Sequence, residues 1–114
     1  MRVKTGTVRR QHHKKVFGQT KGFRMTKNRL YKVAQEALVH AGQYAYVGRK
    51  NRKRNFRKLW ITRLNAALTS YNLSYSRLIK GLNDSQIELD RKILATIALN
   101  DPKTFQKIVE KIKS

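Results

Sequence analysis

Apolar residues recur at intervals of three and four along most of this 114-residue chain, and no useful strand alternation appears. From Thr26 to Tyr71 there is no proline, and only Gly42 and Gly48 interrupt good helix formers. Leu30, Val33, Ala34, Ala37, Leu38 and Ala41 recur there at helical spacing. The pattern predicts one helix of roughly 46 residues, about 69 Å long at 1.5 Å per residue, with Thr26 as its N-cap. So long a helix should mostly project from any core. Trp60, Leu64, Ala67, Leu68 and Tyr71 form one stripe at its end. Asn72 then stands where a left-handed C-terminal cap belongs.

Three shorter helices follow in the pattern. Ser74 can cap a helix carrying Leu78, Ile79 and Leu82, ended by the turn residues Asn83-Asp84-Ser85. Asp90 can cap the next, with Ile93, Leu94, Ile97 and Ala98. Asp101-Pro102 is the clearest start signal, an N-cap aspartate followed by proline at the first helical position. It opens a helix with Phe105, Ile108, Val109 and Ile112 on one face. Residues 59–114 therefore read as a small globular helical domain, near the lower size limit for independent folding. Residues 1–24 carry three glycines and little apolar content. Thr7 could cap a short helix there through Val16 or Phe17, with Gly18 as its left-handed stop. That helix has no face wide enough to bury, so alone it should be disordered. The expected class is all-α, with a basic helical extension (1–58, its long helix starting at about 26) ahead of a C-terminal helical bundle (59–114).

Charge sharpens this division. The chain holds 27 Lys and Arg against 6 Asp and Glu, a net of +21. Residues 1–63 carry 19 of the basic residues and one acid, Glu36, a net of +18; residues 64–114 carry 8 and 5, a net of +3. Such a field repels itself and suits a partner of dense negative charge. Nucleic acid fits, because neutralised phosphates release condensed counterions; an anionic membrane surface is the second candidate. No apolar run approaches the roughly 20 residues of a membrane span. The chain has no cysteine, which excludes disulfides and cysteine-ligated zinc. Met1-Arg2-Val3-Lys4 lead into no signal-peptide core, so a cytoplasmic location is expected.

The candidate chemistry is concentrated at Arg49-Lys50-Asn51-Arg52-Lys53-Arg54-Asn55-Phe56-Arg57-Lys58, seven of whose ten residues are basic. On a helix the seven span roughly 240° of the circumference. A protein-facing helix would keep an apolar stripe and a membrane-surface helix a wide apolar face; this segment keeps neither. Like charges at i,i+4 (Arg49–Lys53, Lys50–Arg54, Lys53–Arg57, Arg54–Lys58) oppose a free helix, and phosphate on several sides would resolve the conflict. Rings are interleaved with the cations: His12, His13, Phe17, Phe23, Tyr31, Tyr44, Tyr46 and Phe56. Unpaired RNA bases stack on such rings. Tyr44 and Tyr46, two apart on a helix, cannot face the same way, so one at least should meet RNA or solvent. His12-His13 lacks nearby ligands for a metal site, which leaves a phosphate or base contact, or plain exposure. No phosphate-cradling glycine loop occurs, and the acids fall at turns, caps and exposed faces, so neither catalysis nor a cofactor is expected.

The candidate RNA contacts begin in the N-terminal arm with Arg2, Lys4, Arg9, Arg10, His13, Lys14, Lys15, Lys21, Arg24 and Arg29. Tyr44 and Tyr46 follow, then the belt cations Arg49, Lys50, Arg52, Lys53, Arg54, Arg57 and Lys58. In the globular piece Arg63, Ser74, Arg77, Arg91 and Lys92 cluster near two helix starts, where free amides and the dipole favour phosphate.

Two motifs, Ala41-Gly42-Gln43-Tyr44-Ala45-Tyr46 and Arg52-Lys53-Arg54-Asn55-Phe56-Arg57-Lys58-Leu59-Trp60-Ile61, with Asn65-Ala66-Ala67, resemble the family of bacterial large-subunit ribosomal protein twenty. Leu73-Ser74-Tyr75-Ser76-Arg77, Gly81-Leu82, Asp90-Arg91-Lys92 and Asp101-Pro102 continue the match along essentially the whole chain. Thr5 and Gln11 stand where the family tends to have Arg, Asn55 replaces a common Asp, and Asn72 and Gln86 replace glycines. The resemblance implies an all-α structural protein whose extension threads between ribosomal RNA segments while its C-terminal domain sits nearer the surface. It also implies early binding to large-subunit ribosomal RNA, contact with ribosomal protein number twenty-one, and, in some members, repression of their own messenger RNA. Bacterial and organellar ribosomes both stay open. No membrane, small-molecule substrate or homo-oligomer is expected. A DNA-compacting or helix-turn-helix regulator is the rival reading. It would need comparable duplex DNA binding and a dimer surface, and the chain shows neither sustained heptads nor an obvious recognition helix. A membrane-active cationic peptide is a third, opposed by the belt's lack of an apolar face.

Overall fold

A computed structural model describes residues 1–114 as five α-helices without a strand. They are α1 (Gly6–Gln19), α2 (Tyr31–Thr69), α3 (Tyr75–Asp84), α4 (Arg91–Asn100) and α5 (Pro102–Lys113), with a 3-10 turn at Met25–Asn28 ahead of α2. The chain divides into two units, residues 1–50 and 51–114, and the division falls inside α2.

In the first unit, the expected short helix is longer than its signals suggested. α1 starts at Gly6 and runs through Gly18 to Gln19. Thr5, rather than Thr7, holds the N-cap position, with no side-chain capping bond. The left-handed residue is Gly22, at φ 81°, rather than Gly18. The expectation that this segment has nothing to bury is also corrected. Val16 and Thr20 are buried, and the Thr20 hydroxyl donates to the Phe17 carbonyl at 3.4 Å, which removes the penalty of burying it unpaired. Ala34 of α2 is buried as well. Tyr31, the first residue of α2, stacks on His13 of α1 at 3.7 Å between ring centres, and Phe17 meets it edge-on at 6.4 Å.

That ring cluster accounts for the start of α2 at Tyr31, where continuous spacing predicted Thr26. Met25 takes φ 62°, and the amides of Arg29 and Leu30 both donate to the Thr26 carbonyl in a tight turn. The first regular bond of α2 runs from the Ala34 amide to the Leu30 carbonyl at 2.9 Å. The helix is therefore 39 residues long. Its C-terminus closes as expected: Asn72 adopts φ 53°, the Leu73 amide donates to the Leu68 carbonyl at 3.4 Å, and the Asn72 amide donates to Thr69 at 3.3 Å. This is the double bond pattern of a Schellman end. The helix itself stops at Thr69, two residues short of the expected Tyr71.

The second unit is built around Leu64, Leu68, Leu78, Leu82, Leu94, Ala95, Phe105 and Val109, all buried. Trp60, Ala67 and Tyr71 of the predicted α2 stripe pack against this core. Each short helix starts where its cap residue stands. The Ser74 hydroxyl accepts from the Arg77 amide at 3.4 Å, Asp90 from the Ile93 amide at 2.8 Å, and Asp101 from the Thr104 amide at 3.2 Å. Such caps are worth about 1 kcal/mol each. In α4 the buried pair is Leu94 and Ala95, while Ile93 is left 46 % exposed, because α4 turns its Ala95 side to the core. α3 and α5 approach so closely at Gly81 that a Cβ there would lie 1.9 Å from Ile112 Cγ2. The exposed ammonium of Lys113 donates to the Tyr71 carbonyl at 2.8 Å, tying the end of α5 to the end of α2.

Candidate nucleic-acid interface

The structure leaves its positive charge unneutralised. The sole ion pair is between the His40 imidazole and Glu36, 3.8 Å apart on adjacent turns of α2. No Lys or Arg lies within 4.0 Å of a carboxylate. Three of the six acids are occupied otherwise: Asp90 and Asp101 cap α4 and α5, and Glu110 accepts from the Gln106 amide group at 2.8 Å. Hydrogen bonds from Thr104, side chain first and then backbone, hold the Asp101 carboxyl below its usual value of 3.8. Three cations donate to protein acceptors: Arg54 to the Asn51 side chain, Arg91 to the Tyr75 hydroxyl, and Lys113 to the Tyr71 carbonyl.

Residues 39–59 of α2 are exposed without a break. All seven belt cations (Arg49, Lys50, Arg52, Lys53, Arg54, Arg57 and Lys58) lie in that bare stretch. Two aromatic rings sit among them and carry a cation over their faces: Lys50 Nζ 5.3 Å from the Tyr46 ring centre, and the Arg52 guanidinium 5.8 Å from that of Phe56. Tyr44 and Tyr46 are 73 % and 56 % exposed. A helix with no tertiary contact on any side, dense in cations and studded with exposed rings, can lay charge along phosphates and offer faces to unstacked bases.

In the N-terminal arm, Arg2, Lys4, Lys15, Lys21, Arg24 and Arg29 are exposed and separate. Arg9, Arg10, His13 and Lys14 come together with Gly6, Thr7 and Phe17 along an open groove of about 770 Å³. His13 is half-buried because its ring is committed to Tyr31, an internal stack that neither of the expected roles for the histidine pair included. In the second unit Arg63, Ser74, Arg77 and Lys92 are exposed, and Arg91 is half-buried. Ser74 Oγ is engaged as a helix cap. Tyr75 was not among the sequence candidates, yet its hydroxyl fixes Arg91 Nε. The two residues are sixteen apart, so no local pattern could pair them.

Charge and geometry of this kind fit any polyanion. The comparison with known proteins narrows it, because the profile of the family described as ribosomal protein L20 matches residues 2–108. The chain belongs to the ribosomal protein L20 family. Relatives named large ribosomal subunit protein bL20 align across 99 % of it. That of Marinobacter nauticus is 51 % identical over 113 residues, covering 97 % of the relative's length. Those of Methylibium petroleiphilum and Francisella tularensis subsp. novicida are also 51 % identical, each over 96 % of its length. In this member of the L20 family the two glycine replacements fall at helix ends. Asn72 and Gln86 both adopt left-handed backbone, at φ 53° and 52°. The Gln86 and Ile87 amides repeat at the end of α3 the bond pattern seen after α2. No helix is long and apolar enough to cross a membrane, and no group of three or more His, Cys, Asp or Glu residues is placed to hold a metal ion.

Proposed function

We propose that the chain binds large-subunit ribosomal RNA directly, through the cations of residues 2–63, and enters the particle early in its assembly. Membership of the L20 family makes it a structural, non-catalytic constituent of the large ribosomal subunit in the cytoplasm. The observation that carries the RNA reading is the absence of any Lys or Arg paired with a carboxylate in a chain of net charge +21. An unpaired, exposed cation gains little within the protein and gains counterion-release free energy on phosphate. The belt Arg49–Lys58 with Tyr46 and Phe56 lies along RNA. The groove of Arg9, Arg10 and Lys14 holds a second backbone segment, and Arg63, Arg77, Arg91 and Lys92 dock residues 59–114. The domain division follows that assignment: 1–58 threads and 59–114 docks.

Contact with ribosomal protein twenty-one and repression of its own messenger RNA belong to the same reading; the repression would use the same surface built for structured RNA. It requires no cofactor, small-molecule substrate, membrane or second copy of the chain. Binding to large-subunit RNA should weaken with salt, with a log–log slope of about −0.7 to −0.9 per phosphate contacted. A slope near zero, or equal competition by duplex DNA, would sink the proposal.

A further inference from the structure

Only two hydrogen bonds made by side chains reach further than four residues along the chain: Lys113 to the Tyr71 carbonyl, and Arg91 Nε to the Tyr75 hydroxyl at 2.5 Å. Tyr75 is the first residue of α3 and Arg91 the first of α4. The Tyr75 ring is half-buried and packs against the core of the second unit. Its hydroxyl is thus held in place by a side chain with only two torsions. Arg91 is half-buried too. Its neighbour Asp90 commits a carboxylate oxygen to the Ile93 amide at 2.8 Å, and no carboxylate lies within 4.0 Å of the guanidinium. Of the cations on this surface, Arg91 alone is fixed by a second side chain; Arg63, Arg77 and Lys92 are exposed.

We infer that Tyr75 is a positioning residue for RNA docking: its hydroxyl occupies Arg91 Nε, so that the guanidinium meets a phosphate through its two terminal nitrogens. An arginine can grip two acceptor oxygens side-on, through Nε and one Nη, or end-on, through both Nη groups. The Tyr75 bond closes the first mode and leaves the second, with Nη1 and Nη2 free of any protein acceptor. A phosphate offers two oxygens to such a fork, and a fork already set loses less side-chain freedom on binding them. Arg63, Arg77 and Lys92 have no such support and must be ordered by the RNA itself. Tyr75 therefore acts through Arg91. This inference rests on the RNA reading above, in which Arg91 helps to dock residues 59–114.

The test is a double-mutant cycle of Tyr75→Phe and Arg91→Gln in the full chain, read as affinity for large-subunit ribosomal RNA across a salt series. Tyr75→Phe keeps the ring against the core and removes only the hydroxyl. It should weaken binding about two- to twelve-fold, the cost of ordering one free arginine, and leave the salt slope unchanged because the charge remains. Arg91→Gln should make the slope shallower by about 0.7–0.9. In the Arg91→Gln background, Tyr75→Phe should change affinity no further. An equal loss in both backgrounds means that the hydroxyl acts on the RNA or on the fold by itself, and overturns the inference; no loss in the parent does so too. If Arg91→Gln leaves affinity and slope unchanged, Arg91 meets no phosphate, and the RNA assignment of that residue fails together with the inference. In the free protein, the Arg91 Nε proton should exchange slowly with water, and Tyr75→Phe should speed it. Equal rates in the two proteins overturn the bond on which the inference stands.

Discussion

Lys53 stands at the centre of the belt, and removing its charge should push stability and RNA binding in opposite directions. It has like-charged neighbours one turn away on both sides, Arg49 and Arg57. Unlike Lys50, Arg52 and Arg54, it has neither a ring nor a side-chain acceptor. Each like-charge i,i+4 pair costs an exposed helix about 0.2–0.5 kcal/mol, so Lys53→Gln, which keeps helix propensity, should stabilise the free helix locally by about 0.4–1 kcal/mol. Because residues 49–57 are exposed throughout, with no packed core to mask so small a change, amide exchange there should slow by roughly two- to five-fold at low salt. The difference should vanish near 1 M salt, where the Debye length is about 3 Å. The same variant should bind large-subunit RNA less tightly, with a salt slope shallower by about 0.7–0.9. Unchanged or faster exchange in the free protein would show that the belt charges do not strain the helix. An unchanged slope would show that Lys53 meets no phosphate.

Three further outcomes concern the second unit. Gly81→Ala gains about 1 kcal/mol of helix propensity but forces a Cβ to 1.9 Å from Ile112 Cγ2, an overpacking cost of about 1–3 kcal/mol. It should be neutral to destabilising alone and become stabilising in an Ile112→Ala background; thermal unfolding showing the same sign in both backgrounds refutes the clash. Gln86→Gly should raise stability by about 0.5–1 kcal/mol by relieving a left-handed residue, a gain denaturant unfolding would miss if the backbone there were relaxed. Asp101 is held below 3.8 by Thr104, so its cap contributes fully above the unfolded value and is lost as pH falls through the lower folded value. The melting temperature of Asp101→Asn should therefore fall less than that of the parent below about pH 4, and parallel curves would contradict the assignment.

The second unit was nearly legible in the sequence because its signals are local. Ser74, Asp90 and Asp101-Pro102 each satisfy helix-start amides within three residues of themselves, so spacing alone locates α3, α4 and α5. Asn72 was legible for the same reason: the left-handed residue is set by bonds reaching only a few positions back. The start of α2 was not. Nothing in Thr26–Leu30 opposes a helix, and the break serves a tertiary contact, the Tyr31 ring on His13, that periodicity cannot register. The same limit hid Tyr75, whose partner Arg91 is on another helix, and set Ile93 outward in favour of Ala95. The candidate interface was legible as a charge run. The cation-free interval 33–48 could also be read from the sequence, but not the open notch that Lys27 forms with Val33, Ala37 and Tyr44.

How the chain spends its few acids explains why so much positive charge survives folding. A carboxylate near a surface lysine would gain at most about 1 kcal/mol, and as an N-cap it gains a comparable amount while also setting where a helix begins. Asp90 and Asp101 take the second use. Glu36 takes neither, and its only charged neighbour is a histidine. The second unit can fold around its eight-residue core because residues 64–114 carry a net charge of only +3, their basic helices offset by acids at the caps and turns. The bare stretch of α2 has no core to offset its repulsion, so its helix and its partner are energetically one problem. On the proposed reading, phosphate supplies at Arg49–Lys58 what no carboxylate of the chain supplies.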